Sequence, residues 1–350
     1  MRLVAVVIDD RYELQGTTPL GKGRFGEVWE ANDQHFDKHV ALKLFYPSAL
    51  PADVRRALAY QEAKFLETLR APNILPVLNA DTDEARDIPY IAMELALEGS
   101  AEDQLRATPR GLVPSLACGW IRGVLVGLRG CHDARVLHGD IKPANVFLER
   151  RDSALLGDLG LARQMDATGR ASPAGDLLVQ PPETFTHRYA DSRSDTYGVG
   201  VTLYRLLTGM WPFVDPDPAR MVTLITGGRP TRVRDLAPHV PHGLALLVER
   251  AIASDPASRF PDAQSMHTAV VAQATFRRTW QPTPHVGHER CWEEVGGRAP
   301  HMVCVIRASH GENVEVVHGA AGRVRPLTRS NLGVADRRVH LRRVFDDLGC

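Results

Sequence analysis

Lysine is scarce in this chain of 350 residues: five of its 42 basic side chains are lysines (22, 38, 43, 64 and 142), and the rest are arginines. Arginine serves at most surface positions where lysine does, so a retained lysine invites a chemical reason. Cysteine is also sparse. Cys118, Cys131, Cys291, Cys304 and Cys350 are odd in number and scattered, with no CxxC pair. That argues against a disulfide framework, a zinc ribbon and a redox motif. No apolar run approaches the ~18 residues of a membrane span. The best, Trp120 to Leu128, is broken by Arg122 and reads as a buried helix. The N-terminal apolar stretch is short and enters Asp9 and Asp10, unlike a secretory leader. Net charge is absent too, with 42 basic against 42 acidic residues. Nucleic acid and membrane are therefore not expected partners, and a reducing cytoplasm is the expected compartment.

What is present is ordinary globular composition, 44% apolar and 24% charged, over a length that predicts two or three compact units. Residues 12–46 read as short alternating strands around a glycine-rich turn. Val40, Leu42 and Leu44 share one strand face, and Ala41, Lys43 and Phe45 the other. Residues 53–70 carry a helical stripe at Leu58, Glu62, Phe65, Leu66 and Leu69, and 88–95 is a further apolar strand. After Gly99 the pattern turns helical, near 115–131, 194–209 and 241–253. Strands first and helices later predict a small sheet-rich lobe followed by a larger helical one. Pro282 and Pro284 mark a linker.

Three constellations carry chemistry. Gly21-Lys-Gly23-Arg-Phe-Gly26-Glu-Val28 lets backbone N–H groups approach phosphate oxygens. The chain then enters a strand rather than a helix, which disfavours a dinucleotide-binding fold. Lys43 lies on a strand, with Glu62 on the next helix as a candidate partner, an arrangement that presents a cation to polyphosphate. The third is Leu137-His138-Gly139-Asp140-Ile141-Lys142-Pro143-Ala144-Asn145-Val146-Phe147-Leu148, followed by Asp158-Leu159-Gly160. It delivers a carboxylate, a lysine, a carboxamide and a second carboxylate, the parts phosphoryl transfer requires.

With these motifs in order, residues 12–270 resemble the bacterial eukaryotic-like Ser/Thr protein kinases. The resemblance implies an α+β, two-lobed kinase fold: N-lobe 12–96, C-lobe 97–275, linker 276–288 and a small α+β module at 289–350. It implies that Gly21, Gly23 and Gly26 cover the phosphates, and that Val28 and Ala41 sandwich adenine with Phe147 in the nucleotide set. Met93 would be the gatekeeper, and the Glu94–Ala96 backbone would meet the adenine edge. Lys43, paired with Glu62, would hold the α- and β-phosphates. Asp140 would be the catalytic base, Lys142 the γ-phosphate contact, and Asn145 and Asp158 the Mg²⁺ ligands. ATP and Mg²⁺, with Mn²⁺ as an alternative, are the implied cofactors. The implied activity is transfer to Ser/Thr hydroxyls of a protein substrate, with autophosphorylation and self-association, in cytosolic signalling or stress and defence regulation. The alternatives are a nucleotide-binding scaffold without catalysis and a small-molecule phosphotransferase.

Beyond the chemistry, Pro181-Pro182-Glu183 resembles the family's Ala-Pro-Glu, with Arg259 as the ion-pair partner of Glu183. Asp195 would cap the catalytic-loop backbone. Leu66, His138 and Leu159 would form the apolar column between lobes, with Leu78 as its fourth member. Three positions depart from the family. Gly139 replaces an arginine that receives activation-loop phosphate, so activity is expected not to depend on phosphate at Thr168 or Ser172. Leu159 replaces phenylalanine. Asp176 stands where a threonine usually bonds the catalytic aspartate and lysine, adding negative charge beside Asp140.

After the kinase unit, His301–Arg307 and Val314–Val317 read as a hairpin around Gly311. An amphipathic helix is expected near 335–348, with Leu341, Val344, Phe345 and Leu348 inward. The stretch 276–350 holds twelve arginines against eight acids, read as a solvated face on an appendage that packs on the kinase. His285, His288, Cys291, His301 and Cys304 have spacings short enough for zinc, without the support of a CxxC pair.

Overall fold

The structure, a computed structural model, describes residues 6–23, 26–46, 51–69, 71–150, 152–296, 299–319 and 322–350. Seven antiparallel strands form the first lobe: β1 (Val7–Ile8), β2 (Tyr12–Leu14), β3 (Gly21–Gly23), β4 (Gly26–Asp33), β5 (Lys38–Leu44), β6 (Val77–Asp83) and β7 (Ile88–Glu94). Their order is β1-β2-β4-β5-β7-β6, with β3 paired to β4. The alternation along β5 separates two cores, as the sequence predicts. Val40, Leu42 and Leu44 join Ile8, Tyr12 and Tyr90 on one face. Ala41 and Phe45 point into the core that continues into the second lobe. The lobe begins earlier than residue 12, because β1 pairs with β2 through Val7↔Glu13 and Ile8↔Tyr12.

Helix α1 (Ala52–Thr68) packs beside this sheet and buries Arg55, Ala59 and Glu62 along one stripe. Below it lie α2 (Ala101–Ala107), α3 (Pro114–Asp133), α4 (Pro182–Thr186), α5 (Ser192–Thr208), α6 (Pro218–Gly227), α7 (Val233–Leu236), α8 (His242–Ala251) and α9 (Ala263–Gln273). Proline at its first turn starts α3. Asp191 caps α5, and Gly209 ends it in a left-handed conformation (φ 71°). Between the lobes run β8 (Val136–Leu137), β9 (Val146–Arg150), β10 (Ser153–Leu156) and β11 (Arg163–Gln164). Pairing of β8 with β11 and of β9 with β10 fixes the loops that carry the chemistry.

The C-terminal unit is a six-stranded antiparallel sheet covered by a helix. Its elements are β12 (Thr279–Pro282), β13 (Arg290–Val295), β14 (His301–Ala308), β15 (Gly311–His318), β16 (Gly322–Arg323), β17 (Arg329–Leu332) and α10 (Val334–Asp347). The β14–β15 hairpin closes at Ala308↔Gly311. Leu341, Val344 and Phe345 of α10 pack on Trp280, Trp292, Val303, Val305, Val314 and Val316. The segment 276–288 is therefore not a plain linker. Its Trp280 is an anchor of this core, and β12 holds an edge, where Pro282 costs no central ladder bond.

The unit packs on the second lobe around α7. Arg234 donates to the Asp346 carboxylate at 2.7 Å and to the Arg342 carbonyl at 3.1 Å, while Arg342 pairs with Asp235 at 3.3 Å. His239 sits fully buried beside Trp292 and Phe345. Burial, with nearby Arg234, pushes its imidazole down to about 3, so it stays neutral.

A second correction concerns the cysteines. Cys291 on β13 and Cys304 on β14 are register partners, Cα atoms 4.2 Å apart, and form a disulfide. Linear spacing conceals a cross-strand neighbour; only the sheet register brings thirteen residues of separation down to one contact.

Candidate active site

Strands β3 and β4 pair through Gly21↔Val28 and Gly23↔Gly26, forming a ribbon over the cleft. Arg24 and Phe25 of the motif lie outside the described residues. At Gly26 a Cβ would overlap the Leu44 carbonyl of β5, so close backbone approach demands glycine there. Gly21 has open space around it, and a Cβ at Gly23 would meet only the Gly26 carbonyl at ordinary contact distance, which leaves room for a ligand. Val28 lies opposite Lys43 in the ladder, and Ala41 lies opposite Met93. Met93 is buried, Glu94 and Ala96 are half-buried, and Phe147 packs against the main core from β9.

Lys43 joins the buried Glu62 to Asp158, whose side chain is part-exposed at the cleft. Its Nζ donates to both Glu62 oxygens at 2.7 and 2.8 Å and to Asp158 Oδ1 at 2.8 Å. Two carboxylates, one buried and one part-exposed, share one ammonium. Burial, reinforced by the neighboring Asp158, pushes Glu62 up to about 7 despite Lys43. Burial alone would raise Asp158 as well, but the charge and hydrogen bond of Lys43 hold it down near 2. The Lys43 ammonium is itself stabilised: burial disfavours its charge, and the two carboxylates more than offset that.

The loop after β8 is fastened from below. Asp195 of α5 accepts the backbone N–H groups of His138 (3.0 Å) and Gly139 (2.8 Å) and bonds His132 Nε2 at 2.9 Å. Burial of Asp195 is outweighed by these partners, so its carboxyl lies below the usual range. His132 has no motif around it; the packing of α3 beside α5 brings it to Asp195 only in the fold. Asp140 Oδ2 meets Lys142 Nζ at 2.9 Å and Asn145 Nδ2 at 3.1 Å, and Oδ1 accepts the Asp176 N–H at 2.8 Å. Lys142 also reaches Asp176 Oδ2 at 3.2 Å, so it stands between two carboxylates. Burial lowers its proton affinity, and Asp140 and Asp176 raise it by more.

The donor set suits a hard divalent cation. The amide nitrogen of Asn145 is committed to Asp140, at the backbone oxygen (2.8 Å) and the carboxylate, which leaves its carbonyl oxygen for a metal. Asp158 offers an ionised carboxylate, and oxygen ligands of this kind fit Mg²⁺.

Glu183 and Arg259 form a fully buried, two-pronged ion pair at 2.8 and 2.9 Å. Of the expected apolar column, His138 and Leu159 are buried, while the Leu66 side chain lies outside the described residues. Leu78 does not belong to it. It is 43% exposed on β6, and its neighbor Val77, opposite Met93, packs against the core instead. Strand alternation allows only one of the two to point inward, and β6 is displaced by a register shift between Val77 and Asn79. Gly139 adopts a left-handed conformation (φ 76°), a backbone that an arginine would hold only with strain. Thr168 and Ser172 are exposed, and Thr168 donates its hydroxyl to Asp166 at 2.6 Å.

Comparison with known proteins agrees with this fold. The family model of the protein kinase domain matches residues 14–271. The chain belongs to the protein kinase family. It is 32% identical over 274 residues to a probable serine/threonine-protein kinase of Streptomyces coelicolor, covering 75% of this chain and 40% of that one. It is 31% identical over 290 residues to the serine/threonine-protein kinase pkn2 of Myxococcus xanthus, covering 79% and 34%. Against PknJ of Mycobacterium tuberculosis the figures are 33% over 283 residues, 76% and 47%. The chain thus spans less than half the length of these relatives. Among the described residues, no helix is long and apolar enough to cross a membrane.

Proposed function

We propose that this chain transfers the γ-phosphoryl group of ATP to serine and threonine hydroxyls of proteins, itself included, as an element of cytosolic signalling. One observation carries the reading: Lys43 is held by Glu62 and Asp158 in the same cleft where Asp140, Lys142 and Asn145 converge. A scaffold that had abandoned catalysis would have no need to keep all six groups in register.

Each residue then has a task. The β3–β4 ribbon closes over the triphosphate, and Lys43 fixes its α- and β-phosphates. Asn145 and Asp158 would hold Mg²⁺, whose charge would offset that developing on the transferred group. Asp140 orients the acceptor hydroxyl and accepts its proton as the new bond forms. Lys142, already tethered to Asp140, neutralises the γ-phosphate. The serine/threonine preference rests on the names of the bacterial relatives. Asp176, in place of the usual threonine, puts a second carboxylate where the acceptor enters.

The test is phosphate incorporation from γ-labelled ATP into the chain and a general protein substrate, followed by phosphoamino-acid analysis. Asp140→Asn should lower incorporation at least ~10²–10⁴-fold while magnesium-nucleotide binding persists. Nucleotide binding with no transfer in the wild-type chain would refute the reading, as would label confined to a small molecule.

A further inference from the structure

We propose that the C-terminal module carries a zinc site built from His288, Cys291 and Cys304, with His285 closing the tetrahedron, in the dithiol form of the chain. Nothing in the phosphotransfer chemistry uses these residues.

The sheet register places the two sulfurs. Cys291↔Cys304 and Trp292↔Val303 are adjacent rungs, and alternation sends the tryptophan and valine toward α10 and the cysteines to the opposite face. Both cysteines are nonetheless buried, at 1% and 4% exposure. A turn then brings in an imidazole: the His288 N–H donates to the His285 carbonyl at 3.2 Å, and His288 Nδ1 lies 3.2 Å from Cys291 Sγ. The ligand atoms of His288, Cys291 and Cys304 all lie within 4.8 Å of one another. In a tetrahedral zinc center with Zn–S of about 2.3 Å, ligand atoms stand about 3.8 Å apart, a spacing the two sulfurs reach once their bond is reduced and one inside the 4.8 Å that bounds these three.

A second, independent observation supplies the fourth ligand. The His285 ring stacks on His288, centroids 6.0 Å apart and planes 23° apart, and its Nε2 is buried without a hydrogen-bond partner. A buried, unpaired imidazole nitrogen on a ring stacked against His288 is costly unless something takes its lone pair or proton. A thiolate-rich N₂S₂ set selects zinc over the hard cations that suit the kinase cleft. His301, the remaining member of the sequence cluster, is not a ligand. Its Nδ1 is taken by Glu294 at 2.8 Å and Arg278 at 2.7 Å.

In a reducing medium the disulfide takes two electrons and two protons from a dithiol, which is itself oxidised to a disulfide, or two electrons from a phosphine and two protons from water, leaving the phosphine oxide; either way two thiols result. Zinc binding then releases those protons and links β13, β14 and the preceding turn through one atom. The module has no other cross-link among its described residues, and small cores gain most from such a staple.

The experiment uses the full chain, purified in a phosphine reductant without chelator from zinc-supplemented culture. Expected results are about one zinc per chain by plasma emission, and thiolate-to-metal charge-transfer bands after cobalt(II) exchange. Cys291→Ser and Cys304→Ser should each lower zinc affinity by more than ~10-fold, and His288→Ala should do likewise while leaving both sulfurs in place. His285→Ala distinguishes a protein-derived fourth ligand, which its weakened binding would support. Should a cysteine variant fail to fold, His288→Ala decides, with circular dichroism reporting its integrity. Reduced chain that holds no zinc, with both thiols titratable, overturns the proposal. Cobalt spectra lacking thiolate bands, or His288→Ala binding zinc as the wild type does, overturn it equally.

Discussion

Replacing Arg259 with methionine should destabilise the kinase unit by about 3–5 kcal/mol, because it strands a buried carboxylate. Both partners of the Glu183–Arg259 pair are inaccessible, at 0% and 2% side-chain exposure. Beyond the two bonds to Glu183, the guanidinium donates to the carbonyls of Ala253 (2.6 Å), Ser254 (3.0 Å) and Arg193 (3.4 Å) and lies over the Tyr197 ring. Methionine fills much of the volume but satisfies none of these acceptors. Glu183 would keep only the Ser194 hydroxyl, at 2.8 Å. For a unit of this size, about 2–4 °C of melting temperature follows each kcal/mol, giving a fall of roughly 6–20 °C. Thermal and urea denaturation followed by circular dichroism would read it. The double variant Glu183→Gln, Arg259→Met removes the stranded charge and should regain a large part of the loss. A single variant losing less than about 1 kcal/mol, or a double variant less stable than either single one, would refute the reasoning.

Titration of the nucleotide-free chain should expose Glu62. Its carboxyl is pushed up from 4.5 to about 7 by burial, so the folded state holds a proton that the unfolded chain releases. Stability contributed in this way is full below about pH 4.5 and lost as pH rises through 7, by up to about 3 kcal/mol. Glu62→Gln should flatten that slope in urea titrations, and a wild-type profile already flat there would contradict it. Asp176→Thr leaves Lys142 neutralised by one carboxylate rather than two, and should lower the KM for ATP about two- to fivefold at low salt; an unchanged KM would refute this. Thr168→Ala with Ser172→Ala should alter turnover by less than about threefold, since Gly139 offers no guanidinium to a loop phosphate. Loss of nearly all turnover would contradict it. Arg234→Ala removes the bonds from α7 to Asp346 and Arg342 and should speed proteolytic cleavage near residues 274–279 about five- to thirtyfold; an unchanged cleavage rate would refute the docking role.

The kinase fold was legible in the linear order of the motifs, because those residues are tied to local geometry. Glycines at a tight strand turn, a lysine in a strand, and an aspartate, lysine and asparagine within one short loop keep their spacing whatever the rest of the chain does. The same locality makes the two faces of β5 and the inward side of α10 readable from periodicity alone.

Tertiary structure decided what depends on partners far along the chain. Whether Val77 or Leu78 faces inward turned on a register shift in β6, and the burial of Trp280 turned on an edge strand hidden in an apparent linker. His132 found Asp195, and Arg234 found Asp346, across separations that no motif spans. The pairing of Cys291 with Cys304 has the same origin. Strand register is set by the sum of hydrophobic contacts across a whole sheet, so a one-residue slip of β13 against β14 would put the two sulfurs on opposite faces and leave no cluster to notice.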